Sequence, residues 1–149
     1  MDNALVLETT FLIDLERELA RGAVGPAQQF LEAHTQYRLF ITPTIAGELA
    51  ASTSLADRTR WQQFVQPFHI LPITEDVSWE YGRAYRYLRQ NGVAIGGNDL
   101  WIAATAVAHG VPVVTRNTRH YRRVPGLEVE AYPADRDTNG TTLTRTGGL

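Results

Sequence analysis

Ala4-Leu5-Val6-Leu7-Glu8-Thr9-Thr10-Phe11-Leu12-Ile13-Asp14 holds the two patterns on which the fold turns. Ala4 to Leu7 is an uninterrupted apolar run, the signature of a strand buried on both faces. Leu12, Leu15 and Leu19 then recur at spacings of three and four, and Gly22 ends the pattern, so a helix follows the strand directly. Glu8 stands at the junction, a carboxylate at the carboxyl end of a buried strand.

The same alternation continues along the chain. A second helix is predicted from about Pro26 to His34, with Pro26 suited to a first helical turn, and a second strand from Arg38 to Thr42. Thr42 reads as an N-cap with Pro43 at the first helical position, which sets Glu48 in the second turn. A helix over Leu55 to Val65 and a strand over Phe68 to Ile73 follow, the latter marked as an edge by Pro72. Glu75 to Gln90 is the longest helical pattern, with acids in its first turn and Arg83, Arg86 and Arg89 towards its end, matching the macrodipole. Its stripe of Val77, Tyr81, Ala84, Tyr85 and Leu88 reads as core or subunit contact, and Gly92 stops it. Leu100 to His109 is apolar nearly all round and should lie deep against the sheet, with Asn98 as its cap and Gly110 as its stop. Val111 to Thr115 and Leu127 to Val129 supply the last two strands. Strands alternating with helices define an α/β domain around a parallel sheet of about five strands, residues 1–132, before a polar, loosely ordered tail over 133–149.

Composition narrows the chemistry. The chain of 149 residues fits one domain, and no apolar stretch approaches the roughly 18 residues that span a bilayer. Glu8, Asp14 and Glu16 interrupt the N-terminal apolar region, so no signal peptide is read and the expected location is cytoplasmic. Zero cysteines exclude disulfides, thiolate nucleophiles and zinc-thiolate or iron-sulfur sites. All 14 basic residues are arginine, which excludes a P-loop and Schiff-base catalysis. A net charge of -2 gives no global attraction to nucleic acid. Affinity for phosphates must then come from a bound metal or from the local cluster Arg116, Arg119, Arg122 and Arg123, whose other reading is a solvated face or a dock for an acidic partner.

Glu8, Glu48 and Asp99 are the candidate site. Taken singly, each reads as a solvated or dipole-complementing charge. Drawn together, carboxylates cost free energy, and a fold that gathers three of them does so to hold a hard divalent cation. Sites in open parallel sheets lie beyond the carboxyl ends of the strands, where the strand order reverses. With the first and fourth strands adjacent, Glu8 would face Thr115 to Asn117, and Asp99 lies in the first turn of the helix feeding the fourth strand.

Four stretches in this order resemble the PIN-domain ribonucleases, and more closely the VapC-type toxins of bacterial and archaeal toxin-antitoxin pairs. They are Leu7-Glu8-Thr9-Thr10-Phe11-Leu12-Ile13-Asp14, the Glu48 helix, Asn98-Asp99-Leu100-Trp101-Ile102-Ala103-Ala104-Thr105-Ala106, and Val114-Thr115-Arg116-Asn117-Thr118-Arg119-His120-Tyr121 ahead of Pro125-Gly126-Leu127. The resemblance implies a three-layer α/β/α PIN-like fold with strand order 3-2-1-4-5. It further implies a magnesium- or manganese-dependent endoribonuclease that cleaves structured RNA, such as a transfer RNA or a ribosomal hairpin. In that reading Glu8, Glu48, Asp99 and Asn117 are catalytic, the first three hold metal, and Arg116, Arg119, Arg122, Arg123 and His120 contact RNA. The implied partners are a VapB-like antitoxin, lying near Leu12, Leu15 and the Glu48 helix, and a second copy of the chain. The chain departs from the family pattern in having Glu8 for aspartate, Thr10 for asparagine, and Asn117 and His120 where a fourth acid falls. Asn117 either gives its carbonyl oxygen to the metal or a bound water, or is a turn residue. Glutamate's extra methylene shifts the oxygens by about 1 Å or makes them fold back, a misplacement worth on the order of 10²-fold in rate. An attenuated toxin follows, or a catalytically inactive PIN-like module that binds RNA or antitoxin.

Overall fold

The computed structural model describes residues 3–133, 135–136 and 142–143. Five parallel strands, β1 (Ala4–Leu7), β2 (Arg38–Ile41), β3 (His69–Ile70), β4 (Val113–Thr115) and β5 (Val129–Ala131), lie in the order β3-β2-β1-β4-β5. Among the described residues seven α-helices pack on this sheet: α1 (Thr9–Arg21), α2 (Pro26–Ala33), α3 (Pro43–Ala50), α4 (Arg58–Val65), α5 (Glu75–Gln90), α6 (Gly97–His109) and α7 (Thr118–Tyr121). The fold class and strand order are those implied by the resemblance. None of the described helices is long and apolar enough to cross a membrane.

β1 is central, and its four side chains are all buried, as an apolar run without alternation requires. It pairs with β2 through Leu5↔Leu39 and with β4 through Leu7↔Val114, so the carboxyl ends of β1 and β4 lie level. Phe11, in the core just after the junction, meets Phe30 and Tyr132 edge-on at 5.4 and 4.6 Å. Gly22 and Gly110 end α1 and α6 at φ 64° and 68°, a conformation that residues with a Cβ adopt at a cost.

Several boundaries differ from the sequence expectation for local reasons. α4 begins at Arg58 because the Asp57 carboxylate caps it, accepting from Arg60 N at 3.0 Å, and a 3-10 turn at Thr53–Leu55 precedes it. β3 is two residues long: Leu71 N still donates to Ile41 O, but Pro72 has no N–H to continue the ladder. β5 is Val129–Ala131, displaced from Leu127 to Val129, because the turn through Gly126 at φ 79° carries the chain past Leu127 before pairing starts. Asn98 is not the cap of α6. Gly96 holds that position, and Asn98 sits within the first turn with its side chain free to serve Glu48. Leu19 and Tyr85 are about half exposed, so the α1 and α5 stripes are narrower than their spacing suggests. Of the loose tail expected over 133–149, positions 134, 137–141 and 144–149 lie outside the described residues; Asp135–Arg136 pairs antiparallel with Thr142–Leu143.

Glu18 turns the end of α1 into a cap for the next helix. Its buried carboxylate accepts from Gly25 N at 2.9 Å, Ala27 N at 2.9 Å, Gln28 N at 3.1 Å and Gln28 Nε2 at 3.3 Å. These bonds satisfy first-turn amides of α2 that no local side chain caps. Burial alone would raise the Glu18 pKa, but the hydrogen bonds outweigh it and hold the carboxyl below its ordinary value. A Cβ at Gly25 would lie 2.6 Å from Glu18 Cδ, so a side chain there must displace the carboxylate from these bonds. Glu18→Ala should therefore destabilise the fold by about 2–4 kcal/mol, having orphaned buried amides. Because the folded pKa is depressed, the Glu18 contribution is complete above the unfolded value of 4.5 and lost as pH falls through the folded value. Urea denaturation of wild type, Glu18→Ala and Gly25→Ala at pH 7 and below pH 4 checks this; midpoints that coincide at pH 7 would contradict it.

Candidate active site

The level ends of β1 and β4 determine the first half of the site. Glu8 N donates to Val114 O at 3.0 Å, which extends the pairing by one residue and sets Glu8 beside Thr115. Thr115 Oγ1 then donates to Glu8 Oε2 at 2.8 Å. Glu8 is also the N-cap of α1: the same Oε2 accepts from Thr10 N at 3.0 Å and from Thr10 Oγ1. The longer glutamate side chain is thus folded back on the first turn of its own helix and is only 4% exposed.

α3 and α6 bring the other acids. The Thr42 hydroxyl caps α3 by accepting from Ile45 N at 3.1 Å, and one turn later Glu48 Oε1 accepts from Thr9 Oγ1 at 2.9 Å. The Asn98 side chain, from the start of α6, adds a second hydrogen bond to Glu48. Asp99 is clasped by the short helix α7. Tyr121 OH donates to its Oδ1 at 3.0 Å, and His120 Nε2 lies 2.9 Å from its Oδ2. The Tyr121 hydroxyl, fully buried, also lies 3.4 Å from Glu8 Oε1.

The three carboxylates share one electrostatic field. Burial raises the Glu48 pKa above its ordinary value, and the charges of Asp99 and Glu8 raise it further, against the hydrogen bonds of Thr9 and Asn98. Burial likewise pushes the Tyr121 phenol up, with Glu8 and Asp99 adding to it, so the phenol keeps its proton.

Glu8, Glu48 and Asp99 are therefore brought together as expected from the sequence, and His120 joins them through Asp99. Asn117 is exposed at the start of α7: its backbone N–H donates to Thr115 Oγ1 at 2.9 Å, while its side chain makes no cap bond. Arg116 is tied back to α1, with Nε 3.3 Å from Asp14 Oδ2 and its N–H on Thr10 Oγ1 at 3.2 Å; Tyr132 bonds the same Asp14. Arg119 and Arg122 are exposed without ion pairs among the described residues, and Arg123 Nη1 reaches Ala94 O at 3.4 Å. Sequence reasoning assigned no task to Tyr121, Thr115 or Asp14. The available signal was the hydroxyl residues flanking the acids, Thr9 and Thr10 after Glu8 and Thr115 at the end of β4.

Carboxylate oxygens are the donors that magnesium and manganese prefer, so the chemistry of the set fits such an ion. Its present arrangement is different. Among the described residues no three His, Asp or Glu side chains have donors arranged to hold a cation, and Thr9, Thr10, Thr115, Tyr121 and His120 bond the carboxylates instead.

A family model described as PIN domain matches residues 5–127. The chain belongs to the PIN domain family. Ribonuclease VapC1 of Rickettsia felis is 30% identical over 134 residues, covering 84% of this chain and 93% of that protein. Ribonuclease VapC4 of Mycobacterium tuberculosis is 39% identical over 85 residues, covering 56% and 65%. The fold is also that of VapBC2 from Rickettsia felis, solved bound to a promoter DNA fragment, at a TM-score of 0.73, 23% identity and coverage of 87% of this chain and 98% of that one. The Glu8, Glu48 and Asp99 cluster lies within the matched residues of this VapC-like PIN domain, and the raised Glu48 pKa makes its effect on stability measurable. Because the folded pKa of Glu48 is raised, ionised Glu48 opposes folding at neutral pH, and the penalty fades as pH falls through that value. Glu48→Gln should melt a few degrees above wild type at pH 7, with the gap closing in acid. A lower melting temperature at pH 7 would contradict a Glu48 pKa raised by burial and by the neighbouring charges.

Proposed function

We propose that this PIN domain is a magnesium- or manganese-dependent endoribonuclease and the toxin of a toxin-antitoxin pair. The observation that carries the reading is the gathering of three acids, with Tyr121 bonding both Glu8 and Asp99 and Thr9, next to Glu8, bonding Glu48, an arrangement that a divalent ion would relieve. Asp99, Glu48 and the more weakly bonded Oε1 of Glu8 are the oxygens that would hold the ion. When bound, such an ion neutralises the crowded acids and polarises a phosphodiester towards attack by water. His120 and Tyr121 fix the orientation of Asp99 through both of its oxygens. Asn117 stands exposed beside Thr115, where its amide can orient a water or a phosphate oxygen. No protein nucleophile is needed.

Arg119 and Arg122, exposed on and just after the helix that clasps Asp99, supply charge for an RNA backbone, with Arg116 and Arg123 at its margins. A structured RNA with an unpaired loop, a transfer RNA or ribosomal hairpin, is the substrate class, because only unstacked bases present their edges to protein. A VapB-like antitoxin is the partner, supported by similarity in fold to VapBC complexes of Rickettsia felis and Salmonella typhimurium. A homodimer through α5, which exposes Trp79, Tyr85 and Tyr87, fits the same reading. Glu8 attenuates turnover, since its Oε2 is saturated by three donors; an inactive module that only binds RNA or antitoxin is the limit of that effect.

Cleavage of a labelled transfer RNA and hairpin panel tests this directly. Activity should need Mg²⁺ or Mn²⁺, vanish in chelator, fall more than about 10²-fold in Asp99→Asn, and rise in Glu8→Asp. Undiminished cleavage in chelator would overturn the metal reading, and a fall in Glu8→Asp would show that the longer carboxylate is the working one. Arg119→Ala with Arg122→Ala should raise KM and flatten the salt dependence by about 0.7 for each phosphate no longer neutralised; an unchanged salt slope would remove these residues from the RNA interface.

A further inference from the structure

Tyr121 has one proton and two carboxylates to give it to. Among the described residues its hydroxyl is the only side-chain group in the site that hydrogen-bonds acids from two different elements, Glu8 at the end of β1 and Asp99 in the first turn of α6. The distances are unequal, 3.4 Å to Glu8 Oε1 and 3.0 Å to Asp99 Oδ1, as expected when a single donor is shared. Thr10 and Thr115 serve Glu8 alone, and Thr9 serves Glu48 alone, so they can aim an acid without joining it to another.

Backbone bonds pin the phenol where it is: Tyr121 N donates to Asn117 O at 3.2 Å and Val124 N donates to Tyr121 O at 3.1 Å. The ring is wholly buried, which phenylalanine would satisfy as well, so packing does not call for the oxygen. What the oxygen adds is the positive end of an O–H dipole between two negative groups, in an enclosed place where such a bond is stronger than in water. Without it, Glu8 and Asp99 would face one another with no shared donor.

We infer that the Tyr121 hydroxyl stands in for a cation: it bridges Glu8 and Asp99 in the ion-free protein, holds the acidic cleft together, and thereby lowers the affinity of the site for a divalent ion. The inference rests on the metal reading above and adds a direction to it. A residue that merely aims the ligands would strengthen ion binding, and its loss would weaken it. A stand-in competes with the ion, and its loss makes binding tighter.

Mn²⁺ titrated calorimetrically into chelator-stripped wild type and Tyr121→Phe, with thermal melts of both in the presence and absence of MnCl₂, distinguishes the two. The variant should bind Mn²⁺ about 10-fold more tightly, melt lower than wild type without the ion, and gain more on adding it. A variant that folds only when Mn²⁺ is present supports the inference equally. Wild type that binds Mn²⁺ alongside a variant that binds no more tightly overturns the inference and leaves the metal reading in place. Absence of binding by both proteins overturns both, and a variant unfolded with and without Mn²⁺ shows that the hydroxyl holds the fold together rather than replacing a charge.

Discussion

Carboxylates confined to one cleft repel, and the structure of this PIN domain is organised around that repulsion. Glu8, Glu48 and Asp99 come from three elements far apart in sequence, yet burial first, and the charges of Asp99 and Glu8 after it, raise the Glu48 pKa. The fold surrounds them with neutral donors, three threonine hydroxyls, one phenol and an asparagine amide, and sets His120 against Asp99. Neutral donors lower the cost of crowding without cancelling the charge. The cleft is left stable enough to fold and, in the function proposed for it, negative enough to attract a cation.

Topology delivers this arrangement at little expense. Pairing β1 with β4 at the centre of the sheet puts Glu8 and Thr115 side by side at the carboxyl ends, where the strand order reverses. α1 then begins on Glu8 itself, Asp99 lies in the first turn of α6, and Glu48 lies a turn beyond the Thr42 cap of α3, so each acid is within reach of donors from a neighbour. The short α7 completes the site through His120 and Tyr121. Arg116, just before α7, is tied to Asp14 and to the Thr10 hydroxyl, which links it directly to α1. Glu18, which with Glu8 is one of two buried acids among the described residues, is handled differently: it receives backbone amides, its pKa falls, and it stabilises rather than strains the chain.

Much of this was legible in the residues. β1 was plain because all four of its side chains are apolar and all four are buried. The Thr42-Pro43 start and the glycines that close α1 and α6 act through local backbone geometry, which sequence states directly. The gathering of the three acids was readable only because their motif order resembles a known family; spacing alone leaves each one an ordinary surface charge. What escaped depends on contacts between residues distant in sequence. The Tyr121 hydroxyl meets Glu8 across 113 positions, and nothing in Arg119-His120-Tyr121-Arg122 separates a core phenol from one that bridges acids. Arg116 looked like part of a basic face until Asp14 was found beside it, and Asn98 looked like a cap because asparagine is a good one, although Gly96 was already in place.

Everything proposed for the site requires one location for the cation, between Glu8, Glu48 and Asp99. Paramagnetic relaxation tests it most directly, because Mn²⁺ at substoichiometric levels broadens only the backbone amide resonances near where it binds. Selective loss of the signals of Glu8, Thr9, Asp99, His120 and Tyr121, reversed by chelator, is the predicted result. Broadening centred elsewhere on the molecule, or none while the protein remains folded, would contradict it.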